Sequence, residues 1–151
     1  MNIHEYQAKQ LLAQNGVAVP PGQVCSTAAE ARAAAVHLLS GGAKRVVVKS
    51  QTHAGGRGKG VFKSGFQGGV KVCQTAEQAA DSAQAMLGQT LVTKQTGPEG
   101  RLIRKVLVEA EDELKDIQML RVLSENRYQE LSLRYGYLFD AEIGAEAIRR
   151  L

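Results

Sequence analysis
The residues best suited to chemistry lie in one stretch, 45–72, which reads RVVVKSQTHAGGRGKGVFKSGFQGGVKV. An apolar β-branched run, Val46, Val47 and Val48, ends in Lys49. A polar loop follows with Gly55, Gly56, Gly58, Gly60, Gly65, Gly68 and Gly69, and a second short apolar run closes at Val72. The pattern predicts a strand, a flexible cationic flap and a returning strand. Glycines let backbone N–H groups come close to an anion, and Arg57 and Lys59 put positive charge at the tip. Holding phosphate is the chemistry this suits. The stretch is not a Walker loop, and no GxGxxG stands between a strand and a helix.

The elements that position this stretch can be read on either side of it. Residues 3–14 form a predicted helix, with Tyr6, Leu11 and Leu12 on one side and Gly16 as its stop. Val17 to Val19 reads as a short extended piece, Pro20, Pro21 and Gly22 as a turn, and Val24 and Cys25 as a brief strand. Thr27 and Glu30 make a capping box before an alanine-rich helix that Gly41 and Gly42 end. His37 lies inside that helix and reads as an ordinary helix residue. A second box, Thr75 and Gln78, opens a helix that Gly88 ends. An extended piece is expected from Leu91 to Thr96, then a turn at 97–100, then one central strand over 101–108 with Glu109 at its end. Helices interleaved with strands predict an α/β or α+β fold with helices packed on a small mixed sheet. From 111 the spacing of Leu114, Ile117 and Leu120, and of Tyr128, Leu131 and Tyr135, predicts a helical tail.

Composition narrows the function. The chain has 151 residues, 44% hydrophobic and 23% charged, enough for one domain with a core. No apolar run approaches the ~20 residues needed to span a bilayer, and the N-terminus carries no secretory or transit pattern. Cys25 and Cys73 are widely spaced and read as reduced thiols in a cytosol-like compartment. The net charge of +4 is uneven: no acid falls between Glu30 and Glu77, where Arg32, Lys44, Arg45, Lys49, Arg57, Lys59, Lys63 and Lys71 stand. Such a span suits a polyanion. Aromatics are 5% of the chain, too few for the stacking that nucleic-acid binding uses, which favours a small phosphate ligand.

MNIHEYQAKQLL, GVAVPPG, the 45–72 stretch, MLGQTLVTKQTGPEG and KVLVEA resemble, in order and spacing, the start of the β subunit of succinate–CoA ligase over residues 1 to about 110. That resemblance implies the N-terminal lobe of an ATP-grasp fold, in which two lobes clamp a nucleotide and a glycine-rich flap covers its phosphates. It implies nucleotide contacts for Lys49 at the phosphates, for Gly56, Arg57 and Gly58 in the flap, and for Glu109 on the base side. His53 takes a loop role, and the phosphorylated histidine of this enzyme class belongs to the α subunit. The implied cofactors are ATP or GTP with Mg2+, the implied partner is the α subunit, and the implied place is the bacterial cytoplasm, or the mitochondrial matrix in a eukaryote.

The departures are informative. A further family glutamate would fall on Ile117, and the family's magnesium ligands lie beyond this chain. Residues 122–151 are similar to a helical segment of the bacterial RNA polymerase β′ subunit, through a YG…F.A..GAEAI..L pattern. The expected organisation is therefore an ATP-grasp lobe over 1–110 and a helical tail of other origin over 111–151. The expected function is the nucleotide-binding part of a truncated β subunit. The parent enzyme forms succinyl-CoA from succinate and CoA with nucleotide hydrolysis, and the fragment alone is expected to be inactive. The competing reading is a non-enzymatic binding module or fusion fragment that docks on a protein or nucleic acid through the basic span.

Overall fold
The computed structural model describes residues 3–111, which belong to one compact unit ending at Glu111. The expected helical tail, with its spacing of leucines and tyrosines, and the polymerase-like segment lie outside the described residues. The order is α1 (Glu5–Gln14), β1 (Gly22–Cys25), α2 (Ala28–Ser40), β2 (Val46–Ser50), a 3-10 turn (Arg57–Lys59), β3 (Val61–Phe62), β4 (Val70–Cys73), α3 (Ala76–Met86), β5 (Thr90–Val92), β6 (Arg101–Leu102) and β7 (Val106–Ala110).

Local chemistry sets the helix starts. Thr27 Oγ1 accepts from Glu30 N at 3.1 Å, and Thr75 Oγ1 accepts from Gln78 N at 3.2 Å. The return arms reach one residue further than a standard box: Ser26 N donates to Glu30 Oε2 and Gln74 N to Gln78 Oε1. Helices α2 and α3 bury Ala31, Ala34, Ala35, Ala79 and Ala83, small side chains that let the two axes approach. Both lie on one face of the main sheet and share a core with Val46, Val48, Val106 and Val108.

The α/β class read from the sequence holds, but its one mixed sheet is two small sheets, each antiparallel throughout. The main sheet has the order β1-β7-β2-β4, and the second the order β3-β5-β6. Three expectations change as a result. The single strand over 101–108 is split, because Ile103 turns away to exchange backbone hydrogen bonds with Gly88 and Gln89, and its two ends serve different sheets. The piece beginning at Leu91 stops at Val92, because Thr96 Oγ1 takes the Thr93 N–H at 2.8 Å and folds the chain into a turn. Val17 to Val19 joins no strand.

The flap is also more built than a flexible loop. Phe62 is 1% exposed and anchors β3 in the core, a burial that contributes about 2–3 kcal/mol. Gly69 N donates to Arg57 O and Gly68 N to Gly60 O, both at 2.8 Å. Gly69 lies so close to β2 that a Cβ there would stand 2.4 Å from Ser50 Oγ. Gly56, which precedes the 3-10 turn, has φ +74°, a conformation a side chain would strain.

Candidate functional site
Strand alternation decides which side chains share the face away from α2 and α3. Val46 and Val48 enter the core, so Val47 and Lys49 point the other way, and pairing sets Val47 opposite Glu109 and Lys49 opposite Leu107. Lys49 and Glu109 thus stand on one face by register alone. Helix α1, which buries none of its own residues, supplies Glu5 and Lys9 to that face, and the flap supplies Arg57.

These five side chains form one ion network. Lys49 and Lys9 bind separate oxygens of Glu109. Both lysines also reach Glu5 Oε1 at 3.3 Å, and Arg57 donates to Glu5 Oε2 at 2.8 Å and to Ser50 O at 2.6 Å. Three cations face two carboxylates, which leaves one positive charge in a partly dry place: Glu109 is 3% exposed. A buried carboxylate needs such pairing to remain charged. Gly22 is what gives Glu109 its room, since a Cβ at 22 would come within 2.8 Å of Glu109 Cβ.

Burial alone would raise the Glu5 carboxyl, but the Arg57 hydrogen bond and the Lys49, Arg57 and Lys9 charges override it and hold it at about 2. Burial pulls Lys49 down, and Glu109 and Glu5 more than reverse this, so its pKa ends above the ordinary lysine value. The depressed Glu5 gives a signed expectation. Its contribution to stability is complete above its usual 4.5 and is lost as pH falls toward 2. Denaturant midpoints measured across that window should fall by the equivalent of about 2 kcal/mol, and Glu5→Gln should flatten the slope. A variant slope equal to the parent's would show that Glu5 is not the titrating group.

A shallow concavity of about 250 Å³ adjoins the network, walled by Pro20, Pro21, Gly22, Leu107 and Tyr6, with Lys9 and Glu109 at its edge. Its lining mixes apolar residues with these two charged ones. Among the described residues no group of three His, Cys, Asp or Glu could hold a metal ion, so a metal is not assigned to them. No helix among them is long and apolar enough to cross a membrane.

The residues singled out from sequence are thus partly gathered. Lys49, Arg57 and Glu109 meet through Glu5, and Gly56 and Gly58 flank Arg57, both with open space where a side chain would stand. Arg57 is not a projecting tip charge, because it folds back on Ser50 O and Glu5. Lys59 remains exposed. Sequence reasoning missed Glu5 and Lys9, whose i, i+4 spacing on a predicted helix was the available signal.

Comparison with known proteins gives the family. A family model described as an ATP-grasp domain matches residues 2–126, past the point near 110 where the sequence resemblance was placed. The chain belongs to the ATP-grasp family, whose domains bind nucleotide. Within it, the chain is similar to the β subunit of ADP-forming succinate–CoA ligases. It is 49% identical to that of Opitutus terrae over 123 residues, which is 82% of this chain and 30% of the relative. It is 51% identical to that of Acidiphilium cryptum over 133 residues, 87% of this chain and 33% of the relative. With that of Solibacter usitatus it shares 56% over 109 residues, 72% of this chain and 26% of the relative. The chain spans about a third or less of the length of these curated relatives.

Proposed function
We propose that this chain is the first nucleotide-binding lobe of an ADP-forming succinate–CoA ligase β subunit. The observation that carries the reading is the convergence of Lys49 and Arg57 on a single carboxylate, Glu5. Two cations from different elements aimed at one anion are what a polyphosphate would require in place of that anion. In this reading Lys49, Arg57 and the Gly56 and Gly58 backbone hold the phosphates. The base end rests on the wall made by Pro20, Pro21 and Leu107, with Glu109 beside it. The residues fit ATP or GTP by charge and by the apolar wall. Magnesium would travel with the phosphates and supply further charge neutralisation there. The contribution of these side chains to phosphoryl transfer is positioning and charge neutralisation, which is most of what that chemistry asks of a protein. The α subunit partner, its phosphohistidine, and a cytoplasmic or mitochondrial-matrix setting complete the proposal.

Thermal melting of the chain with and without magnesium ATP, ADP or GTP tests it. A ligand that binds only the folded form must raise the midpoint, by the equivalent of about 2.7 kcal/mol at a hundredfold excess over Kd. A midpoint that no nucleotide moves, but that a polynucleotide raises in low salt, would replace this reading with the binding module.

A further inference from the structure
A larger cleft, of about 730 Å³, lies apart from the ion network: Lys49, Arg57 and Glu109 do not line it. Its cationic and imidazole groups come from separate elements, with His4 at the start of α1, His53 in the loop after β2, and Arg101, Arg104 and Lys105 around the β6–β7 crossover. Among the described residues, no acidic one lines it. We propose that this cleft is a second anion site, which takes a compact tetrahedral oxyanion of the phosphate class.

The contrast with the neighbouring network carries the argument. There, every cation meets a carboxylate. Here, among the described residues, Arg101 and Arg104 meet none, and both are exposed into the cleft region. Among the described residues, Lys105 Nζ meets Tyr6, 5.4 Å above its ring and 3.5 Å from its hydroxyl. Such concentrated charge without a counter-ion raises the local potential and draws in an anion. The groups are also fixed. Lys105 O accepts from Gln51 N at 2.9 Å, and Gln51 Oε1 accepts from Tyr6 N at 3.3 Å, so the crossover, the loop and α1 are tied at one point.

The His4 imidazole gives the site a pH dependence. The His4 and His53 rings stack at 3.9 Å and 16°, and His4 Nδ1 is buried. Burial first, then His53, Lys105 and Arg57, lower the His4 pKa. The groups facing the pair are Tyr6 from α1, Arg57 from the flap, and Arg101, Arg104 and Lys105 from the crossover. Glu5 is turned to the other side, onto Lys49 and Arg57. A charged His4 would face His53, Lys105 and Arg57 at a cost that an anion lying against it relieves, so binding should recruit a proton there and strengthen as pH falls.

Isothermal titration of the full chain with inorganic phosphate at neutral pH is the first test, and sulfate serves for the pH series because its own charge does not change. Saturable binding is expected. Arg101→Ala with Arg104→Ala should weaken it at least about tenfold, the order of one lost charged hydrogen bond or more. The isotherm should persist in saturating magnesium ATP, which would fill the Lys49 face, and this separates the site from the nucleotide proposal. Sulfate should bind about fivefold or more tighter at pH 6 than at pH 8, and His4→Asn should flatten that trend. The arginines are exposed, so circular dichroism should show an unaltered fold; should it not, the paired His53→Asn and Lys105→Gln variant carries the same expectation. Absence of saturable phosphate binding would overturn the proposal. So would binding that magnesium ATP abolishes and that the arginine variants keep.

Discussion

Lys49→Met is expected to remove most of the nucleotide-dependent rise in melting temperature while leaving the chain folded. The lysine is the cation of the network that stands on a strand, where register fixes it. A charged hydrogen bond to phosphate in a partly dry site is worth about 2–3 kcal/mol, so affinity for magnesium ATP should fall on the order of 30- to 150-fold. Folding survives because Glu109 keeps Lys9 as a partner, although losing one of two cations around a buried carboxylate should lower stability by about 1–3 kcal/mol. Melting curves of parent and variant, each with and without nucleotide, separate the two effects. Lys49→Arg, which retains charge but changes reach, should recover part of the shift. An unchanged nucleotide response in Lys49→Met would remove the central claim about this face.

Glu5→Gln is expected to move the two quantities in opposite directions. In the free molecule the Glu5 carboxylate occupies the place between Lys49 and Arg57 that a phosphate would take. Neutralising it should destabilise the fold by about 2 kcal/mol at neutral pH, the share of its depressed pKa that survives partial exposure of a side chain that is 23% exposed. The same change removes a negative charge that repels the incoming triphosphate. At a few ångströms in a medium of intermediate dielectric this repulsion is worth about 1–3 kcal/mol, so nucleotide should bind roughly tenfold tighter. Weaker binding in Glu5→Gln would mean that Glu5 holds the cations in place for the ligand instead of competing with it. A measurement at two ionic strengths adds a check, since the gain should shrink as salt screens the residual charge.

The parts legible in the sequence were those whose cause is local. Helix starts at Thr27 and Thr75 follow from a hydroxyl and its i+3 neighbour, and the stops at Gly16 and Gly88 from a single permissive residue. Lys49 at the end of a β-branched run and Arg57 among glycines stood out by type and order, and both meet Glu5. Where distant chain decided the outcome, local pattern misled. The run over 101–108 is apolar enough for one strand, yet Ile103 bonds to Gly88 and Gln89, which nothing nearby announces. Val61 and Phe62 look like loop residues beside so many glycines, and only the presence of β5 makes them a strand. Glu5 was passed over because a glutamate on an amphipathic helix is usually solvated. Its role depends on α1 lying over a sheet face that the helix's own residues do not describe.

The placing of β7 between β1 and β2 has a consequence for biosynthesis. Among the described residues, the first strand of the main sheet pairs only with the last, and no direct pairing joins β1 to β2. A nascent chain emerging from the ribosome therefore holds β1 and the β2–β4 hairpin as separate pieces with raw edges until Val106–Ala110 arrives to insert between them. Contacts this distant in sequence close slowly, and the waiting pieces are open to mispairing with neighbouring chains. Ribosome-bound intermediates stalled before that insertion point should depend on holdase chaperones, and those stalled well after it should not.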